Sequence, residues 1–153
     1  MVGPSLKANP EGWDLIPPVS FAQSPSYTAC SGIKIFGGVG KFETVQSISR
    51  TYSLPTHSYI SISIIIYLIG DWSGDSLRVS IDDTVQNIIS EGAKTATCTP
   101  LSTPAFETPA LEYVLLDHTS PTITLKIEKT NGLTGAFGIR RIIIETRIVI
   151  LVA

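Results

Sequence analysis

The alternation of apolar and polar positions is clearest in residues 58–69, where it has a period of two. One face of an extended chain would carry the aliphatic side chains Ile60, Ile62, Ile64, Ile66 and Leu68. The opposite face begins with polar residues and becomes partly apolar from Ile65 onward. Successive side chains of a strand point to opposite sides of a sheet, so this pattern predicts a central β-strand that is covered fully on one face and partly on the other.

Shorter alternating segments predict further strands on either side of this one. Their expected inward-facing side chains are Leu77, Val79, Ile81, Ile123, Leu125 and Ile127, and a short edge strand is expected at residues 13–16. No stretch shows the period of a helix. The chain is therefore predicted to be all-β, an antiparallel β-sandwich of jelly-roll type with about eight to ten strands.

Proline-rich segments divide the chain into an arm and one domain. Residues 1–28 contain five prolines, which favour an extended N-terminal arm, and residues 29–153 form the predicted sandwich. Residues 95–109 are rich in Thr, Ser and Pro around Cys98, which predicts a surface loop.

The last predicted strand, residues 141–153, ends in a segment that is apolar on both faces. That segment comprises Ile148, Val149, Ile150, Leu151 and Val152. An exposed apolar edge promotes aggregation unless something covers it. Two interpretations stay open: the segment is covered inside its own sandwich, or it is donated to a neighbouring subunit by strand addition.

Composition favours association with a partner. Of 153 residues, 43% are hydrophobic and only 16% are charged, so few charges are available to solvate a large monomeric surface. The net charge of -2 and the scattered basic residues argue against nucleic acid and anionic membrane surfaces as partners. Charged residues interrupt the C-terminal apolar segment, which argues against membrane insertion.

The N-terminus lacks the apolar segment of a signal peptide, so the chain is expected to be either cytoplasmic or a processed piece.

The two cysteines, Cys30 and Cys98, are far apart in sequence and belong to no CxxC pair. Zinc and thioredoxin-type chemistry both need closely spaced ligands or thiols, so neither is supported. A single disulfide is the first hypothesis, and two buried free thiols are the alternative.

Five short motifs together resemble a lectin-like β-sandwich module that recurs in large cysteine-rich secreted or surface proteins of ciliates and other protists. They lie at residues 37–42, 53–57, 67–75, 79–82 and 135–140, and the resemblance extends over roughly residues 12–145. Gly70 and Ser73 replace polar positions of the family's loop after the central strand. The resemblance implies an extracellular or cell-surface module that is not an enzyme.

Candidate binding residues follow the central strand. Asp71, Asp75, Asp82 and Asp83 offer oxygens for calcium, although aspartate in turns also accepts backbone hydrogen bonds and the spacing matches no known calcium loop, so no cofactor or metal is assigned. The aromatic rings of Tyr67 and Trp72 are candidates for stacking on a sugar, although packing in the core or covering it is the favoured interpretation.

No catalytic residue is assigned. His57 and His118 have no nucleophile with an orienting acid nearby in sequence, and structural hydrogen bonding is the expectation for both. The sequence predicts a non-enzymatic extracellular structural or adhesive subunit that assembles with copies of itself, into a filament by strand complementation. The alternative is a carbohydrate-binding module that uses Tyr67, Trp72, Asp71 and Asp75.

Overall fold

A computed structural model describes residues 13–16, 27–38, 42, 45–99, 102–132 and 135–149. These residues form eleven β-strands and no helix. The strands are β1 (Asp14–Ile16), β2 (Tyr27–Cys30), β3 (Ile33–Gly37), β4 (Ser47–Ser53), β5 (Tyr59–Ile69), β6 (Leu77–Ile81), β7 (Thr84–Ile89), β8 (Ala96–Cys98), β9 (Thr103–Asp117), β10 (Thr122–Lys129) and β11 (Ala136–Arg147).

The strands form two sheets in which every described pairing is antiparallel. One sheet has five strands in the order β1-β4-β10-β6-β7. The other is a closed six-stranded ring in the order β11-β3-β2-β8-β9-β5. The all-β antiparallel class predicted from the alternating segments is therefore confirmed, and the closed ring is an addition that the sequence did not indicate.

Strand β5 is central, as predicted. It pairs with β9 on one side and with β11 on the other along its whole length. Its aliphatic face is fully buried in the main core, which also receives Val79 of β6 and Leu125 of β10 from the five-stranded sheet. On its opposite face, Tyr67 and Ile69 join a second buried cluster beside the Cys30–Cys98 disulfide. Both predicted layers of cover are present.

The segment predicted as a surface loop, residues 95–109, is instead largely strand. It contains β8 and the beginning of β9, the longest strand described. Proline cannot donate a ladder hydrogen bond, yet both prolines of β9 have tolerant positions. Pro104 pairs with the three-residue strand β8, and Pro109 lies beside a register shift against Ile65. Composition alone misled because a strand tolerates proline opposite a short partner strand or beside a register shift.

The predicted disulfide is present and closes the ring. Cys30 of β2 and Cys98 of β8 face each other in the single residue pair that joins these two strands. Two backbone hydrogen bonds, Ser31 N to Thr97 O and Thr99 N to Ala29 O, each 2.8 Å, flank the pair. The shortest strand pairing in the ring is therefore the one that the disulfide cross-links.

The two ends of the chain are described in part. The edge strand expected near residue 13 is present as β1, which pairs with β4. The rest of the predicted arm in residues 1–12 and 17–26 lies outside the described residues. At the other end, β11 stops at Arg147, short of the predicted end. Ile150, Leu151 and Val152 of the proposed assembly segment also lie outside the described residues.

Candidate functional site

A cleft opens between the two sheets where β4 faces β3 and β11. We call it the aromatic–cation cleft, and its volume is about 400 Å³. Its lining residues are Trp13, Tyr27, Lys34, Phe36, Arg50, Tyr52, Ile139, Arg140, Arg141 and Ile142. They combine aromatic rings with cations, and they come from five separate strands or strand ends.

The first wall belongs to β4. Its register pairs Ile48 with Ile127, Arg50 with Leu125 and Tyr52 with Ile123, and all three β10 partners are fully buried. Paired residues share a face of the sheet, so Arg50 and Tyr52 occupy core-facing positions. The Arg50 guanidinium lies 4.6 Å from the centre of the Tyr52 ring. A cation therefore stands where the alternation of β4 would otherwise place an apolar side chain.

The second wall belongs to β2 and β3. Tyr27 and Phe36 are register partners and their rings meet edge to face, with centroids 5.6 Å apart. Trp13 stacks on Phe36 at 6.2 Å, and the Lys34 ammonium lies 4.3 Å from the centre of the Tyr27 ring. Trp13 and Phe36 are buried, whereas Tyr27 keeps a partly exposed edge. The buried rings form the floor, and tyrosine and lysine face the opening.

The third wall is an irregular part of β11. The pairing of β11 with β5 shifts by one residue between Ile139 and Arg141, which makes Arg140 the extra residue of a bulge. Strand β3 pairs with β11 only at Gly138 and Ile139. Among the described residues, no strand continues on that side of β11, so the main chain from Arg140 onward borders the cleft.

Every charged residue that lines the cleft, within the described part of the chain, is a cation. Arg140 is neutralised by Glu107, whose Oε2 lies 2.6 Å from Arg140 Nη1. The hydrogen bond and the charge of Glu107 raise the pKa of Arg140. Lys34 and Arg141 form no ion pair with any described residue. Four cations therefore line the cleft, in a chain whose net charge is -2.

Tyr67 supports the Arg140 wall from inside the ring. Burial, followed by its hydrogen bond to Glu107, raises the pKa of Tyr67 to about 12. The phenol remains protonated at neutral pH and donates to the Glu107 carboxylate. This contact holds the carboxylate in the position where it meets Arg140.

The residues that the sequence suggested for ligand binding lie elsewhere. Tyr67 and Trp72 are each only 1% exposed, so neither ring offers a face to a sugar. The Trp72 indole donates to the carbonyl oxygens of Ile69 and Ala136, at 3.2 and 2.9 Å. Both rings therefore belong to the interior of the protein.

The aspartates do not converge on one point. Asp71 accepts a hydrogen bond from Ser73 N, which lowers the pKa of Asp71. Asp75 is buried and accepts from the main chain of Ser76 and Asn131. Asp82 and Asp83 lie beyond the other end of β6. Within the described residues, no group of three or more His, Cys, Asp or Glu side chains is arranged to hold a metal ion.

The two histidines form a hydrogen-bonded chain with Asp82. His57 Nδ1 lies 2.6 Å from Pro55 O, His57 Nε2 lies 2.7 Å from His118 Nδ1, and His118 Nε2 lies 2.8 Å from Asp82 Oδ2. All four ring nitrogens are engaged within the protein. A general base needs a nitrogen that can reach a substrate proton, so this arrangement fits the structural role expected for both histidines.

Only two residues of the proposed assembly segment are described. Ile148 is 57% exposed and Val149 is 58% exposed. Val149 N donates to Ser58 Oγ at 3.1 Å, which fastens the chain beside the first residue of β5.

Sequence reasoning missed the cleft because its residues are scattered. The one local signal is Arg50, which interrupts the apolar face of an otherwise alternating strand beside Tyr52. Charged residues at core-facing positions often mark functional sites.

Comparisons with known proteins assign no family. No protein-family model and no curated protein matches this chain. Among solved structures, the chain is similar to TmCBM61, a carbohydrate-binding module, in complex with β-1,4-galactotriose. The identity is 14% and the TM-score is 0.37, over 92% of this chain and 79% of that chain. A likeness at this level assigns neither a ligand nor a binding residue to this chain. Across the described residues, there is no helix with the length and apolar character needed to cross a membrane.

Proposed function

We propose that this chain is a non-enzymatic extracellular module that binds a carbohydrate in the aromatic–cation cleft. The observation that carries the proposal is the cleft itself: rings line it, polar edges face its opening, and main-chain groups of β11 border it. Pyranose rings present apolar faces and many hydroxyl groups. Aromatic side chains supply amphipathic contact area at a small entropic cost, which suits such a ligand.

An extracellular location is supported by the disulfide, because disulfide bonds persist in oxidising compartments. Both sheets contribute to one main core, which supports the interpretation of the fold as a jelly-roll sandwich with one sheet closed. The lectin-like family suggested by the five short motifs is part of the same proposal.

The direct test is a glycan array with the purified, non-reduced protein. We expect binding to a subset of glycans and its loss in Tyr52→Leu, a change that removes the phenol from the cleft while keeping an apolar side chain. The matched control is Tyr113→Leu, since Tyr113 is 63% exposed on β9, away from the cleft. Circular dichroism establishes that each variant is folded. The proposal would be contradicted if no glycan on the array were bound, or if both variants bound glycans as well as the parent chain does.

A second candidate function, self-assembly by strand complementation, is favoured by the free side of β11. Within the described residues, β3 pairs with that side only as far as Ile139, and Arg147 is followed by exposed Ile148 and Val149. An unpaired edge can accept a strand from a second copy, and a head-to-tail contact of this kind repeats into a filament.

Electron microscopy and light scattering test this candidate. We expect filaments or oligomers from the parent chain and monomers from the double variant Ile148→Lys, Val149→Lys. The control is Ile88→Lys, because Ile88 is 54% exposed on β7, at the edge of the other sheet. A monomeric parent chain at high concentration would exclude self-assembly and leave carbohydrate binding untouched.

A further inference from the structure

We infer that two copies of this chain form a closed dimer in which the ends of their β11 strands pair antiparallel, centred on Thr146. This inference rests on the second candidate function, association at the free side of β11, and adds the register and the symmetry of the contact. We call residues 143–149 the terminal edge. The inference is carried by the direction of its main-chain groups and by the order of its charges.

Hydrogen bonds to the start of β5 show which main-chain groups of the terminal edge are available to a second strand. Arg147 O accepts from Ser58 N at 2.7 Å, and Val149 N donates to Ser58 Oγ at 3.1 Å. Alternate residues of a strand direct their main-chain groups to opposite sides. Those of Thr146 and Ile148 therefore point away from β5, to the side where the described residues supply no strand.

The side chain of Arg147 contacts one of these outward groups. Its Nη1 lies 3.1 Å from Thr146 O, and its Nη2 lies 3.5 Å from Glu145 Oε1. A main-chain carbonyl at the edge is thus bonded by a side chain that is itself half exposed. A second strand would supply a main-chain donor for this carbonyl and leave the guanidinium to a carboxylate of the other copy.

The order of charges selects the register of two identical strands. Outward groups must meet, so the two-fold axis passes through a residue, and positions equally far from it on either side lie opposite each other. An axis at Ile144 places Arg141 opposite Arg147. An axis at Glu145 or Arg147 places that residue opposite its own copy. Like charges directly opposite each other destabilise a pair of strands, whereas an axis at Thr146 places Glu145 opposite Arg147 twice.

One other register, with its axis at Ile143, also pairs opposite charges. It would bring Arg147 of the second copy opposite Ile139, the position that Phe36 of β3 already occupies on that side of β11. The register centred on Thr146 stays clear of β3. It also uses no residue that lines the aromatic–cation cleft.

The same register covers exposed apolar side chains. Ile144 lies opposite Ile148 of the second copy, and Ile143 lies opposite Val149. Ile148 and Val149 are more than half exposed in the single chain, whereas Ile144 packs partly against the main core. Opposite residues share a face of the sheet, so each exposed side chain gains an aliphatic neighbour. Because both copies use the same surface, the contact closes at two subunits.

The test is charge reversal, measured by sedimentation equilibrium of the non-reduced full chain over a range of concentrations. We expect dimers of the parent chain. Glu145→Arg and Arg147→Glu each bring like charges together at both positions, so we expect either change to raise the dissociation constant at least about tenfold. An equimolar mixture of the two variants restores opposite charges at both positions. We expect this mixture to form heterodimers with a dissociation constant within about threefold of that of the parent chain.

Lys126→Glu is the matched control. Lys126 lies 3.5 Å from Glu128, two residues along the same strand, which is the arrangement of Arg147 and Glu145. Strand β10, however, is paired on both sides and offers no free edge. We expect this variant to form dimers as the parent chain does, and circular dichroism establishes that every variant is folded.

The outcomes separate the register from association itself. Dimers that persist in both single variants, or variants that stay apart when mixed, would overturn the register. Filaments of the parent chain that disassemble in Ile148→Lys, Val149→Lys would overturn the closed dimer while supporting head-to-tail assembly. A parent chain that is monomeric at its highest soluble concentration would overturn both, whatever the glycan array shows.

Discussion

The imidazole rings of His57 and His118 lie nearly parallel, at an angle of 16°, with a 2.7 Å hydrogen bond between His57 Nε2 and His118 Nδ1. His57 belongs to the loop between β4 and β5, His118 follows β9, and Asp82 follows β6. Three chain connections from both sheets are thus fastened together by one line of side chains.

The first prediction concerns this line of side chains. Replacing His118 by Ala leaves a buried nitrogen of His57 and a carboxylate oxygen of Asp82 without their partner. We expect the free energy of unfolding to fall by about 1–3 kcal/mol, the usual cost of an unsatisfied buried polar group. Urea denaturation measures it. The control is Ser120→Ala, an exposed position in the same connection, and an equal effect of both changes would count against the role of the histidine line.

A further prediction concerns Tyr67 at high pH. Its pKa in the folded chain, about 12, lies above the ordinary value of 10.0. The folded state therefore holds this proton more tightly, and the resulting stability is fully present below pH 10 and is lost as the pH rises from about 10 to 12. Between these values, we expect the unfolding free energy of the parent chain to fall more steeply than that of Tyr67→Phe. Parallel curves would refute the prediction.

Trp72 distinguishes a structural role from a binding role. Trp72→Phe keeps an aromatic ring in the core but removes the hydrogen bonds to the carbonyl oxygens of Ile69 and Ala136. We expect a loss of about 1–3 kcal/mol in unfolding free energy and no change in glycan affinity under conditions where the variant is folded. Unchanged stability with lost binding would return Trp72 to the ligand site.

The disulfide is the subject of the last prediction. Cys30 and Cys98 are 68 residues apart, so the chain-entropy model gives about 4 kcal/mol for the cross-link. In guanidinium denaturation under non-reducing conditions, we expect the double variant Cys30→Ser, Cys98→Ser to be less stable than the parent chain by a free energy of this order. Equal stability of the reduced and oxidised parent chain would contradict this prediction, because β2 would then pair with β8 equally well without the disulfide.

The sequence was most informative within single strands, where the face on which one residue lies determines the face of its neighbours. In β5 the alternation alone predicted which side chains enter the core, because a pleated strand has only two faces and Ile64 must follow Ile62 onto the same one. The fold class could be derived in the same way. The closure of the ring could not, because it depends on a contact of β2 with β8 that is limited to one residue pair.

The site was less predictable because it is assembled from distant segments. Lys34 and Arg50 become neighbours of one cavity only after β3 and β4 enter different sheets. For Tyr67 and Trp72 the sequence left core packing and sugar stacking both open, because an aromatic ring near a turn has the same sequence signal whether it faces solvent or the interior. Arg50 was the one cleft residue whose position interrupted the apolar alternation of its strand.

The Cys30–Cys98 bond also sets the path that a mechanical load would take through the molecule. A pull on the two chain ends is transmitted directly from β2 to β8, so the strands between the cysteines, β3 to β7, bear no tension as a continuous chain. The 68-residue separation withholds roughly 230 Å of contour length, at about 3.4 Å per residue, from extension. The length by which a stretched molecule can extend is therefore limited to the segments outside the disulfide loop.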